Sequence, residues 1–277
     1  MLDEALQKKL IEAGRAFTRG YQADDPFMEN FESDQELHRP QPPLVKPAMT
    51  GDKIELTRDF SGLELKHDLV TLIRDRRSAR VYTGETVTRE QLSFLLWATQ
   101  GIKALRGKSY ATLRTVPCGG ARHEFETYLL IRRVEGLKPG AYHYLPMEHA
   151  LEFLHPVSDL EDAITRSLEG QKWAEKASLV FYWAMVPYRA EWRYGVYAHR
   201  PALIDVGHVG QNLYLACTGA GLGTCAIAAF SHEMCNELFG LDGEEEYVVY
   251  AAPVGTVRES DRDAEQAFYR FVEEENM

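Results

Sequence analysis

The apolar positions of this chain alternate between helical and strand spacing without any repeating unit. Leu6, Leu10, Ile11 and Phe17 predict a short amphipathic helix from Asp3 to Phe17. Leu69 to Arg74 closes a second helix, and Thr88-x-x-Gln91 is a capping box ahead of Leu92, Leu95, Leu96 and Thr99, a helix ending at Gly101. Thr127 to Val134 and Ala141 to Leu145 read as strands joined by a Gly-Pro turn, and Ser158-x-x-Glu161 caps a helix through about Leu168. Ser178 to Val186, S-L-V-F-Y-W-A-M-V, has the continuous apolar character of a strand buried on both faces, and Tyr188 to Tyr194 is helical. From Ile204 to Cys217, Val206, Val209, Leu213 and Ala216 form one stripe, and Gly207 and Gly210 leave room for another backbone. Ser231 caps a short helix to Phe239, Tyr247 to Val257 is the last strand, and Asp263 to Glu274 is a charged terminal helix. Helices mixed with antiparallel hairpins, without a β-α repeat, predict an α+β fold with a mostly antiparallel sheet.

Residues 20–50 hold five prolines and little periodicity, which suits an arm lying over a surface. The expected organisation is a helix and extended arm over 1–60 and one domain over 61–277. A 277-residue chain with 45% hydrophobic and 11% aromatic residues can bury a sizeable core, which excludes disorder and a disulfide-stapled miniprotein. The net charge of −11 would repel nucleic acid. Leu179 to Pro187 is the longest apolar stretch, about half a bilayer crossing, and Asp3 and Glu4 stand where a secretory signal carries basic residues. These features predict a cytoplasmic protein with no membrane contact. Cys118, Cys217, Cys225 and Cys235 match neither zinc nor redox pair spacing, and His143, His149 and His155 read as strand-face residues, so no metal site is expected.

Two glycine-rich stretches fail as phosphate motifs. Gly101 to Ser109 has five residues between its glycines and follows a helix, so it reads as a polar loop and not a P-loop. Gly219 to Gly223 also follows a long helix, which excludes a dinucleotide fingerprint. The feature that composition does not anticipate is Arg74, Arg76, Arg77 and Arg80, four arginines in seven residues of an acidic protein. A helix C-terminus explains one or two of them. If the chain is extended after Asp75, then Arg76, Ser78 and Arg80 share one side and offer two guanidiniums and a hydroxyl to an anion.

With these segments in place, the chain resembles the FMN-dependent nitroreductase superfamily over roughly residues 66–258. Arg76 to Tyr82 (R-R-S-A-R-V-Y) resembles the opening flavin motif, which implies FMN phosphate contacts at Arg76 and Ser78, an N1/O2 contact at Arg80, and Arg77 as a further cofactor-binding residue. Val116 to Tyr128 is similar to the segment lining the isoalloxazine, which implicates Pro117, Cys118, Gly119 and Gly120. Ile204 to Ala216 resembles the dimer-building helix, and Gly221 to Phe230 the loop whose amide meets flavin N5, at Ile227, Ala228 or Ala229. Pro253 to Arg258 resembles the last strand, after which Arg258 or Arg262 completes the phosphate site. Gln100 is a further candidate for the flavin edge.

The resemblance implies a nitroreductase-like homodimer with one FMN per subunit near the interface and the arm wrapping the partner. It also implies two-step oxidoreductase turnover, with NAD(P)H or a substrate reducing FMN and a nitroaromatic, quinone or oxygen reoxidising it. Val134 to Tyr144 is similar to the branch of azoline dehydrogenases, which aromatise heterocycles in modified peptides. The Lys-Tyr pair of that branch corresponds here to Arg193-Tyr194, and arginine cannot serve as a general base near neutral pH. Tyr194 is the candidate substrate-side acid, with Arg193 orienting an anionic group. A non-catalytic flavin-binding or partner-binding protein is the reading of a different class.

Overall fold

The structure, a computed structural model, describes residues 3–21, 25, 31–258 and 260. In chain order it runs through α1 (Glu4–Arg19), β1 (Lys53–Glu55), α2 (Leu69–Asp75), α3 (Arg89–Gln100), β2 (Ile102–Arg106), β3 (Ala111–Arg114), β4 (Phe125–Ile131), β5 (Gly140–Leu145) and β6 (Ala150–His155). There follow α4 (Leu160–Ser167), β7 (Leu179–Met185), α5 (Pro187–Tyr194), α6 (His199–Gly219), β8 (Leu222–Thr224), α7 (His232–Phe239) and β9 (Tyr247–Thr256). Seven strands form one sheet in the order β1-β6-β5-β4-β7-β9-β8, with all neighbours antiparallel. The α+β reading of the mixed periodicity is the architecture observed.

Every residue of β4 and β7 is buried, because helices cover both faces of the sheet centre. Successive side chains alternate between the two layers. Leu129, Ile131, Phe181 and Trp183 pack with Leu92 and Leu95 of α3 and Val209 and Leu213 of α6. Tyr128, Leu130, Val180 and Tyr182 pack on the other side with Ile164 of α4 and Leu238 and Phe239 of α7. α3 starts at the expected capping box: Gln91 N–H donates to Thr88 Oγ1 at 3.1 Å, and Thr88 N–H donates to Gln91 Oε1 at 3.0 Å.

Several boundaries differ from the expectation, each for a local reason. Asp159, not Ser158, caps α4, with Asp162 N–H donating to its carboxylate at 3.0 Å. α6 begins at His199 instead of Ile204, since Pro201 falls in the first turn, where its missing N–H is tolerated. Gly101 to Ser109 is mostly β2, an exposed strand paired with the largely buried β3, and its own residues carry no buried stripe to read. α1 has no buried residue, and Arg200 holds its end by donating to the Thr18 and Arg19 carbonyls at 3.0 and 2.8 Å. The helix expected from Asp263 to Glu274 lies outside the described residues.

From residue 31 the connector lies over its own subunit. Gln35 N–H donates to the Trp192 carbonyl at 2.8 Å, Tyr188 OH to Asp34 at 2.8 Å, and the Met49 and Thr50 amides to Glu152 at 2.8 and 2.9 Å. β1 then joins the sheet edge against β6. Beneath this cover is a buried charged network: His143 sits between Glu152 (2.8 Å) and Glu126 (3.0 Å), and Arg189 donates to Glu126.

This network and two other buried histidines make stability depend on pH. Burial opposes charge on Glu152, but hydrogen bonds from His143 and the Thr50 and Met49 amides pull its pKa down to about 2. Burial also opposes charge on His143, yet Glu126 and Glu152 hold its pKa above the ordinary 6.5. At His149 and His123 burial dominates, taking them to about 4 and about 2. A histidine whose folded pKa is depressed stabilises the protein above pH 6.5 and loses that contribution as pH falls through the folded value. Glu152 adds a loss below its ordinary 4.5, while His143 acts oppositely, contributing fully below 6.5. Thermal unfolding between about pH 7 and pH 4 is therefore expected to show a falling Tm, steeper below about 4.5. His149→Gln should flatten the upper part of that curve.

Candidate functional site

The arginine cluster lies where α2 stops. Asp68 caps the start of α2, with Thr71 N–H donating to its carboxylate at 2.8 Å, and at Arg76 the backbone becomes extended (φ −57°, ψ 126°). The segment then runs beside β8: Ala79 N–H donates to the Thr224 carbonyl at 2.9 Å, and the buried Ala79 methyl presses on Gly223, where an added Cβ would approach it to 2.6 Å. With Ala79 facing inward, Arg76, Ser78 and Arg80 take the opposite side. Ser78 Oγ is 3.0 Å from the Tyr214 hydroxyl of α6, and Ala226 N–H donates to that same hydroxyl at 2.8 Å. The Arg76 guanidinium lies over the Tyr214 ring, 5.3 Å from its centroid, and makes no ion pair among the described residues. Arg80 lies over Trp173 at 5.9 Å.

Arg77 turns the other way. With Lys66 and Arg258 it lines a cavity of about 220 Å³ whose wall includes Asp75, Thr218 and Thr224. Lys66 Nζ is 3.8 Å from Asp75 across this space. Arg258 also pairs with Glu85, and Arg262 lies outside the described residues. Two cofactor candidates are committed elsewhere. Gln100 is buried, and its amide oxygen accepts from Arg114 Nη1 at 2.7 Å. Ile227 exchanges both backbone hydrogen bonds with Ala251, at 2.7 and 3.0 Å, so its N–H is not open to a cofactor ring. Ala228 and Ala229, which follow it, are exposed.

The second group surrounds Pro117 to Gly120. The Cys118 thiol donates to Glu124 Oε2 at 3.2 Å and accepts from His123 N–H at 3.0 Å. Burial and then the neighbouring Glu124 and Asp205 carboxylates push its pKa far up, so it is a protonated donor and not a nucleophile. Cys118, Glu124 and Asp205 offer ligand atoms within 4.8 Å of one another, but a metal would need the thiolate that this environment disfavours. Gly119 N–H donates to Asp205 of α6 at 2.8 Å. Gly120 has φ +56°, and a Cβ there would stand 2.6 Å from the Arg193 side chain and the Tyr194 hydroxyl. The tight contact joins this loop to the Arg193-Tyr194 pair of α5. Arg193 Nη1 reaches on to Tyr110 OH at 2.7 Å and Gln35 Oε1 at 3.1 Å.

The two groups are separated within one chain. Asp205 and Tyr214 are about two and a half turns apart on α6, roughly 13 Å along the axis and on opposite faces. Tyr214, Asp205 and Tyr110 were not among the residues the sequence suggested. Tyr214 carried one readable signal, an aromatic in a helix otherwise rich in small and aliphatic residues, while Tyr110 sits in a turn with no periodicity at all.

The model of the nitroreductase family matches residues 73–256. The chain belongs to the nitroreductase family. MJ1384 of Methanocaldococcus jannaschii, assigned to the nitroreductases, is 31% identical over 210 residues, covering 74% of this chain and 98% of that protein. A Ralstonia eutropha structure, also assigned to the nitroreductases, superposes with a TM-score of 0.61 at 23% identity over 79% of this chain and 94% of that one. A chain of the Escherichia coli microcin synthetase McbBCD complex, with truncated pro-MccB17 bound, gives a TM-score of 0.56 at 18% identity, covering 92% of this nitroreductase-family chain and 93% of its own. No helix among the described residues is long and apolar enough to cross a membrane.

Proposed function

We propose that this nitroreductase-family protein is an FMN-dependent oxidoreductase that passes electrons from NAD(P)H to a small acceptor such as a nitroaromatic or a quinone. The observation that supports this is the extended segment at 76–80, in which Arg76 and Ser78 both meet Tyr214 and Arg80 lies over Trp173, beside a cavity lined by Arg77, Lys66 and Arg258. This donor set fits a flavin phosphate: guanidiniums and a hydroxyl on pre-positioned backbone. Bound FMN would supply two-electron transfer. Arg80, fixed over Trp173, would place positive charge where the resemblance puts the flavin's N1/O2 edge and so favour its reduced form. Ala228 and Ala229 would offer an exposed backbone donor.

Because the Tyr214 and Asp205 groups lie on opposite faces of α6, we assign the Pro117 to Gly120 loop to the flavin of a second copy, which makes the working unit a homodimer with two sites. A second reading, azoline dehydrogenation on a peptide, is compatible with the fold shared with the McbBCD chain over 92% of this chain. Arg193 in the place of the pair's lysine weighs against it.

The test is the visible spectrum of the purified protein, followed by heat release and identification of the chromophore. FMN in near-stoichiometric amount, with NAD(P)H oxidation stimulated by menadione, is the expected result. A protein that stays colourless when FMN is added would end the FMN reading, and one that binds FMN without turnover would leave a non-catalytic flavin binder.

A further inference from the structure

We propose that Tyr110 is the proton-exchanging residue on the substrate side of the flavin site. The inference rests on the FMN reading above. Tyr110 ends the turn between β2 and β3, and its phenolic oxygen accepts two N–H donors, Arg193 Nη1 at 2.7 Å and Gln35 Nε2 at 3.0 Å. The Arg122 guanidinium lies over its ring, 4.9 Å from the centroid. Arg122 also donates to the Tyr110 carbonyl and to the Gly120 carbonyl, both at 3.1 Å. Three elements thus converge on one partly exposed phenol: α5 through Arg193, the turn after Gly120 through Arg122, and the arm through the uncharged Gln35.

The position follows from Arg193. Its Cδ and Nε lie against Gly120 and its Nη1 touches the phenol, so the Tyr110 oxygen is one guanidinium away from the loop assigned to the flavin wall. Two N–H donors and two nearby positive charges all favour the phenolate. Burial works against ionisation, but the Gln35 hydrogen bond and the charges of Arg193 and Arg122 outweigh it and bring the pKa below the ordinary 10. Tyr142 shows the contrast, since burial pushes it up to about 12. Arginine cannot exchange its own proton here, but it can hold a phenolate in place.

Reducing a quinone to a quinol takes two electrons and two protons. FMN, when bound and reduced, would supply two electrons and one proton. The second proton comes from Tyr110: its O–H bond breaks, an O–H bond forms on the acceptor, and the phenolate facing Arg193 is reprotonated by water.

Two measurements on the FMN-loaded protein decide this. In protein carrying 13C at tyrosine Cζ, one resonance absent from Tyr110→Phe should titrate below pH 10, and Arg193→Gln should move its midpoint upward. In stopped flow, dithionite-reduced enzyme mixed with menadione should reoxidise about 100-fold more slowly in Tyr110→Phe, with the pH dependence of the rate flattened and FMN affinity unchanged. Equal reoxidation rates at every pH, or no such resonance, would overturn the assignment while leaving the FMN reading intact. Failure of the wild type to bind FMN would sink the FMN reading itself, and Tyr110 would lose its substrate-side role with it.

Discussion

Glu126→Ala is expected to lower the unfolding free energy by about 3–5 kcal/mol, seen as a drop in Tm of roughly 6–15 °C. Glu126 is 1% exposed and accepts from Arg189, itself 4% exposed, as well as facing His143. The backbone N–H of Lys46 donates to the same carboxylate at 2.8 Å, so the arm is anchored there too. Removing the carboxylate leaves buried positive charge without a counterion, and the cost comes mainly from that orphaned charge. Arg114 compounds it: burial already lowers its pKa to about 10, with Glu126 acting to raise it and Arg189 to lower it. Combining Glu126→Ala with Arg189→Met should therefore cost less than the sum of the two single variants. Thermal and denaturant unfolding of the three proteins measure this, and a loss under about 1 kcal/mol in the single variant would mean the network is not what holds the arm.

Arg76→Ala is expected to weaken FMN binding about 10- to 150-fold with little change in Tm. A charge-assisted contact to a phosphate contributes about 1.5–3 kcal/mol, which converts to that range. The guanidinium is fixed on the Tyr214 ring, so part of the ordering cost of binding is met before the ligand arrives. Tyr214→Phe would keep the ring and remove the hydroxyl that meets Ser78 and Ala226, and should weaken FMN binding by a smaller factor. Fluorescence titration of apoprotein with FMN distinguishes these, and an Arg76→Ala protein with wild-type affinity would move the phosphate to the Arg77, Lys66 and Arg258 cavity.

Legibility along the chain tracked the range of the interactions involved. The Thr88 capping box, the Ser231 cap and the stripe of α6 were readable because each is set by residues a few positions apart. The extended backbone after Asp75 was readable for the same reason, because a helix end is set by its neighbouring residues. β8 was not, because this three-residue strand lies in a glycine-rich run and is held by a partner far along the chain, with Thr224 paired to Val254. Gln100 illustrates the limit at the site itself: a polar residue ending a helix suits a cofactor edge or a buried arginine equally, and Arg114 is the one that meets it.

Local spacing was enough to establish the α+β class and the buried central strand, since backbone preference and side-chain period act over a few residues. The rest came from contacts between distant segments: Tyr214 meeting Ser78, Gly120 pressed on Arg193, Tyr110 held by residues of the arm and α5, and the Tyr214 and Asp205 groups split across α6. Such contacts are chosen by the packing of a whole core, in which many local patterns are compatible and one arrangement buries the apolar surface while pairing the buried charges.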